Sequence, residues 1–231
     1  MKILHLYHDL MNLYGDYANI SALCRILQTN GIEYTLDHKS LGYELSLLDY
    51  DFIFVGSGSE ENQKKALDHL REYKDDLKEY IESGKFALFT GNSFEMLCKS
   101  INGFLGEFDG LEIFDFTTTE QNKSRKTADA IFKLYDLENE LVGFINKCST
   151  IEGVQTPLFE VIRGLGNTDN DKCEGIFYKN FFGTHLTGPV LIKNPHFLRY
   201  VAEKLVGKKL SAEAFGYEQK GYEITLKHLK V

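Results

Sequence analysis

The chain has 231 residues, with 26 Lys+Arg against 34 Asp+Glu and a formal net charge of −8. Hydrophobic residues make up 43% and charged residues 26%, which excludes a disordered chain and leaves material for a sizeable core. The acidic balance, with unbroken basic runs no longer than pairs such as Lys64-Lys65 and Lys208-Lys209, argues against a nucleic-acid binder.

No stretch of eighteen apolar residues exists to insert into a membrane. His5, His8 and Asp9 interrupt the opening MKILHLYHDL too early for a signal-peptide core, so a cytoplasmic location is expected. Cys24, Cys98, Cys148 and Cys173 form no CxxC pair and read as free thiols. Neither a metal nor a cofactor is expected. His5 and His8 are three apart, a spacing that on a strand points them to opposite faces.

In chain order, Lys2–Tyr7 reads as a buried strand. Asn19–Asn30 reads as a helix with Ile20, Leu23, Ile26 and Leu27 on one face, stopped by Gly31. Ile32–Asp37 and the wholly apolar Phe52–Val55 follow as strands, the latter suited to a sheet covered on both faces. Glu61–Arg71 and Lys74–Ser83 are helical, and Phe86–Phe89 is a fourth strand. Thr90-Gly91-Asn92-Ser93 then turns into a helix with Phe94, Leu97 and Ile101 on one side. The second half is strand-rich, with Leu111–Phe116, Ala130–Leu134, Val142–Asn146, Phe159–Ile162, Gly175–Tyr178 and Phe182–Leu186 as short strands. Asn194 is expected to cap a helix that opens on Pro195, buries Phe197, Val201 and Leu205, and stops at Gly207. The pattern predicts one α/β domain over 1–210 with an antiparallel addition, and a 211–231 extension that reads equally as helix, strand or tail.

In an open α/β sheet, ligands bind at the carboxyl ends of the strands. Two loops fall there. Gly56-Ser57-Gly58-Ser59-Glu60 offers backbone N–H groups to an anion or oxyanion, or is simply a glycine turn. Thr90-Gly91-Asn92-Ser93 has the strand–turn–helix layout of a nucleophile elbow, with Ser93 in a Gly-x-Ser sequence and Glu95 where a second glycine would stand. Cys98 reads as packing.

Several short motifs, in order, resemble one family. Asp9-Leu10-Met11-Asn12-Leu13-Tyr14-Gly15-Asp16 with Asn19-Ile20 looks like the opening signature of the glutaminase subunit of lipid II isoglutaminyl synthase, among the cobyric-acid-synthase-like class I glutamine amidotransferases. Phe54 through Ser59 resembles the family's glycine-rich oxyanion loop, and Phe94-Glu95-Met96-Leu97 its Tyr-Gln-Leu-Leu helix start. Later counterparts run from Gly110-Leu111 to Lys193-Asn194-Pro195. The resemblance implies a flavodoxin-like domain: a mostly parallel sheet with helices on both faces, plus antiparallel strands. It implies glutamine as substrate and a Mur-ligase-like synthase as partner. It also implies chemistry in which a Cys forms a thioester with the glutamine carboxamide, a His moves the proton, and ammonia is released.

At the two working positions the sequence departs from that pattern. Aligned without a gap, Gly91 stands where the family has its Cys, with Asn92 and Ser93 on the two glycines after it. Gly183-Thr184-His185-Leu186-Thr187-Gly188-Pro189 matches Gly-Thr-Tyr-Leu-His-Gly-Pro, which puts Thr187 at the His position. Arg125, in Lys123-Ser124-Arg125-Lys126-Thr127, matches an arginine linked to activity; it is suited to hold a carboxylate, or is a surface arginine.

Three readings follow. One is a non-hydrolysing, partner-binding or regulatory subunit. A second is an amide hydrolase with a relocated nucleophile: Ser93 with His185 or His196 as base, or more remotely Cys98 or Cys148. His185 is two residues from Thr187, so strand alternation places both on one face. The third is a module binding glutamine or a related amino acid through Gly58, Asn92 and Arg125.

Overall fold

The computed structural model describes residues 1–121 and 125–231; Lys123 and Ser124 in the setting of Arg125 lie outside the described residues. From the amino terminus the chain runs β1 (Lys2–Leu6), α1 (Tyr17–Thr29), β2 (Thr35–Lys39), β3 (Phe52–Val55), α2 (Glu60–Leu70), α3 (Lys74–Glu82) and β4 (Phe86–Thr90). Next come β5 (Ser100–Gly103), β6 (Gly106–Asp109), β7 (Thr117–Glu120), β8 (Lys126–Lys133), β9 (Leu141–Lys147), β10 (Ser149–Glu152), β11 (Phe159–Arg163) and β12 (Cys173–Glu174). The chain ends with β13 (Ile176–Tyr178), β14 (Phe181–Thr184), β15 (Leu186–Thr187), α4 (Val190–Lys193), α5 (Pro195–Val206) and α6 (Gly216–Leu229).

The principal sheet has the order β13-β14-β4-β3-β1-β2, parallel throughout except for β13 against β14. Successive side chains on a strand face opposite ways. Phe52 and Phe54 accordingly pack with Leu23 and Leu27 of α1 and Phe197 of α5. Ile53 and Val55 face Leu67 and Leu70 of α2 and Leu77 of α3. Covering on both faces is why β3 is apolar at every position.

Two smaller sheets complete the molecule. One has the order β10-β7-β5-β6, and the other is the antiparallel set β12-β11-β8-β9-β15. In the latter, Phe132 and Ile145 join the main core, while Ile131 and Val142 on the opposite face meet Tyr222 and Leu229 of α6. The 211–231 extension is therefore a helix laid on a sheet.

Several expectations shift. The second strand begins at Thr35 instead of Ile32, because the Ile32 N–H closes onto Leu27 O as part of the turn after α1. The segment after the elbow is a short 3-10 helix, Gly91–Leu97, and Ile101 belongs to β5. Leu111–Phe116 is not a strand: its N–H groups bond the carbonyls of Met96, Leu97 and Cys98, the acceptors a longer elbow helix would have used. Asn194 caps nothing with its side chain. It is buried, accepts from Val142 N at 2.8 Å and donates to Val142 O and Val190 O, tying α4 to β9. Finally, β1 ends at Leu6 and Tyr7 takes φ +55, so strand alternation fails and the His8 ring returns to 6.1 Å from His5, beside His38. Among the described residues, no group of His, Cys, Asp or Glu is arranged to hold a metal ion, and no helix is long and apolar enough to cross a membrane.

Candidate active site

The loops after β3 and β4 meet at the carboxyl end of the principal sheet, where an α/β fold places its ligands. Asp16 holds them together. Its Oδ2 accepts from Ser57 N at 2.7 Å and Thr90 Oγ1 at 2.9 Å. Burial pushes the Asp16 carboxyl up to about 6, against the lowering effect of those two hydrogen bonds. Beside it, Gly58 N–H donates to Asn92 Oδ1 at 3.0 Å, and Gln63 Nε2 donates to Asn92 O at 2.6 Å.

Gly91 at the tip of the elbow has φ +62, a left-handed backbone that costs an L residue about 1–2 kcal/mol. A Cβ there would lie 2.2 Å from Ser57 Oγ and 2.5 Å from Ser57 Cβ. The turn keeps the sharp conformation of an elbow while Ser57 fills the space a side chain at its tip would need.

The floor of the pocket is a buried polar cluster. Glu95 Oε1 accepts from Ser149 Oγ at 2.6 Å and lies 2.7 Å from His185 Nε2. On the other side of the ring, Nδ1 is 3.4 Å from Glu174 Oε1, and the His185 backbone N–H donates to that same oxygen at 2.7 Å. Ser149 Oγ is 3.5 Å from His185 Nε2, and the Phe94 ring packs edge-on against the imidazole. Lys147 is buried nearby, donating to Gly166 O and Asn167 O, and burial lowers its ammonium. At the rim, the Arg125 guanidinium is engaged by Glu60. Cys148 donates to the same carboxylate, and burial with the Glu60 hydrogen bond pushes its thiol up to about 12. The space left in the pocket is about 10 Å³, room for roughly one water.

Gly58, Asn92, Arg125 and His185 thus line one pocket. Ser93 does not: its buried hydroxyl faces Val55 O at 3.0 Å and Thr90 O at 2.8 Å, and no hydrogen bond joins it to His185. Thr187 is also outside the lining, its Oγ1 donating to Phe144 O at 2.9 Å. His185 and Thr187 fail to share a face because the chain leaves the principal sheet at Thr184 and enters another at Leu186, which breaks the alternation between them. Cys98 is fully buried with its thiol pushed up to about 12 by desolvation. The His196 ring lies tilted against Tyr222 of α6, and burial lowers its imidazole to about 4.

Sequence reasoning missed Glu95, Ser57 and Glu60 as site groups, although each stood within a quoted loop or motif. An acidic residue in the apolar run Phe94–Leu97 was the available signal for Glu95. Ser149 and Glu174 carry no local signal, because tertiary folding brings them in from 54 and 11 residues away, respectively, from their partners Glu95 and His185.

The model of the CobB/CobQ-like glutamine amidotransferase domain matches residues 2–195. The lipid II isoglutaminyl synthase (glutamine-hydrolyzing) subunit GatD of Staphylococcus aureus (strain N315) is 35% identical over 210 residues, 90% of this chain and 86% of that protein. The protein of the same description from Streptococcus pneumoniae (strain ATCC BAA-255 / R6) is 30% identical over 212 residues, 90% of this chain and 82% of its own length. A glutamine amidotransferase of Thermotoga maritima superposes with a TM-score of 0.58 at 11% identity, covering 99% of this chain and 94% of that one, a likeness of fold.

Proposed function

This chain belongs to the CobB/CobQ-like glutamine amidotransferase domain family, and from that membership we propose that it is a GatD-like subunit of an amide-forming synthase which does not itself hydrolyse glutamine through Cys–His chemistry. Its route is peptidoglycan-precursor amidation or a neighbouring amide-forming reaction, and its partner is a Mur-ligase-like synthase that it binds or regulates.

The observation that carries the reading is the elbow. A thioester mechanism needs a thiolate at its tip and a base beside it. Gly91 supplies no nucleophile, and the adjoining Ser57 side chain takes up the volume in which one would sit. At the matched base position, Thr187 offers a hydroxyl bonded to a carbonyl, which accepts no proton at neutral pH. The oxyanion donors are also engaged, Ser57 N–H by Asp16 and Gly58 N–H by Asn92. The alternative pair, Ser93 with His185, has no support in the geometry described above.

Ammonia release from glutamine, by the purified chain alone and with its co-purifying synthase partner, tests this. The reading predicts none above the uncatalysed rate in either state. Turnover that follows the purified chain contradicts it.

A further inference from the structure

We infer that the pocket is occupied by an intramolecular imitation of an amino acid bearing a carboxamide, made from Asn92 and Glu60, and that it therefore takes no free glutamine until those two side chains are displaced. The inference rests on the family reading above and concerns the same pocket.

A glutamine molecule offers a recognition site two features: a carboxamide whose oxygen accepts from N–H donors, and an α-carboxylate that a guanidinium pairs with. Both are already present here as parts of the chain. Asn92 is a carboxamide, and its Oδ1 accepts from Gly58 N–H at 3.0 Å. That donor identity fixes the orientation of the amide, since only its oxygen accepts. Glu60 is a carboxylate, and it sits on the Arg125 guanidinium at the rim. A third element, the Ser57 side chain, stands where an atom on Gly91 would approach. The result is a site in which the Gly58 N–H and the Arg125 guanidinium are already engaged, with about 10 Å³ left open, against the ~300–1,000 Å³ of an ordinary small-molecule pocket.

Each part has an ordinary structural alternative when taken alone. Glu60 lies in the first turn of α2, where a carboxylate is favoured by the helix dipole. That preference does not require it to pair with Arg125, 65 residues away. Asn92 sits in the elbow turn, where a residue without a side chain would leave Gly58 N–H open to a ligand. The two contacts together reproduce both ends of one ligand class in one pocket, which neither local preference accounts for.

Calorimetric titration of the full chain with L-glutamine and with L-glutamate, at millimolar concentrations, tests the inference. The native chain should give no saturable heat with either. The nearly isosteric Glu60→Gln should gain binding of L-glutamate by at least about tenfold, because it frees the Arg125 guanidinium. Glu60→Gln combined with Asn92→Gly should gain L-glutamine by a similar factor, and adding Arg125→Ala should remove both gains. Saturable Arg125-dependent binding by the native chain overturns the inference. So does a Glu60→Gln variant that melts like the native protein and gains nothing. If the double variant does not fold, the native chain still decides: its Gly58 amide resonance should stay fixed on addition of glutamine, and a saturable shift overturns the inference. Ammonia release is a separate readout, so a failure here is distinguishable from a failure of the non-hydrolysing reading.

Discussion

Two features of Gly91 oppose a side chain at the elbow. Its left-handed backbone and the 2.2 Å approach of a would-be Cβ to Ser57 Oγ act in the same direction. Gly91→Ala should therefore lose about 2–5 kcal/mol, combining ~1–2 for the backbone with ~1–3 for overpacking. Adding Ser57→Gly should return the overpacking share, and urea denaturation of the native chain and the two variants checks both numbers. A full loss retained in the double variant would show that Ser57 is not what fills the elbow. The same geometry predicts that Gly91→Cys with Thr187→His releases no ammonia while Ser57 remains. The elbow position was legible in the sequence, because a strand, a glycine and a helix signal follow each other within a few residues. Its filling was not, since Ser57 reaches Gly91 from a different loop. For the same reason the pairing of Glu95 with His185 and Ser149 could not be read from spacing: those residues lie in three separate segments of the chain.

At the scale of elements, strands with continuous apolar runs and helices with a single apolar face were legible, and Phe52–Val55 agrees in both bounds. Departures arose where backbone groups found partners outside the local pattern. The 3-10 turn stops at Leu97 because Leu111–Phe114 take its carbonyls. Asn194 looked like a helix cap because Pro195 follows it, yet its amide is spent on β9 and α4. Asn194→Ala should consequently cost about 3 kcal/mol, the penalty of leaving the buried Val142 N–H and C=O unpaired, where loss of an ordinary exposed cap costs ~1 kcal/mol. Chemical denaturation distinguishes these values, and a loss near the smaller one would return Asn194 to a capping role. Helix α6 had no clear sequence signature because its buried face is narrow: Tyr222 and Leu229 are its buried residues, packed on Ile131 and Val142.

The whole molecule couples this packing to pH. Burial, and then His38 and His8, lower the His5 imidazole to about 4, so the fold holds it neutral while the unfolded chain takes up a proton near 6.5. Stability from His5 is thus complete above about 6.5 and is lost as pH falls toward 4. His196 acts in the same direction. Asp16 opposes them: a carboxyl raised to about 6 keeps its proton in the fold when the unfolded chain has released it, so its contribution is greatest below 3.8 and fades as pH rises through 6. Net loss on acidification from pH 7 to 5 should come from the histidines. Replacing His5, whose buried Nε2 has no partner among the described residues, by Phe should flatten that loss by up to about 2 kcal/mol, read from urea midpoints at the two pH values. An unchanged slope would remove His5 from the account.

A glutamine amidotransferase fold has been kept, and we propose that its elbow has lost the capacity to form an acyl intermediate. Intact-mass spectrometry after incubation with an electrophilic glutamine analogue, 6-diazo-5-oxo-L-norleucine, tests that claim without depending on turnover. The chain, alone and with the synthase partner proposed above, should keep its unmodified mass. A stoichiometric adduct on any residue of the pocket, blocked by excess glutamine, would contradict it.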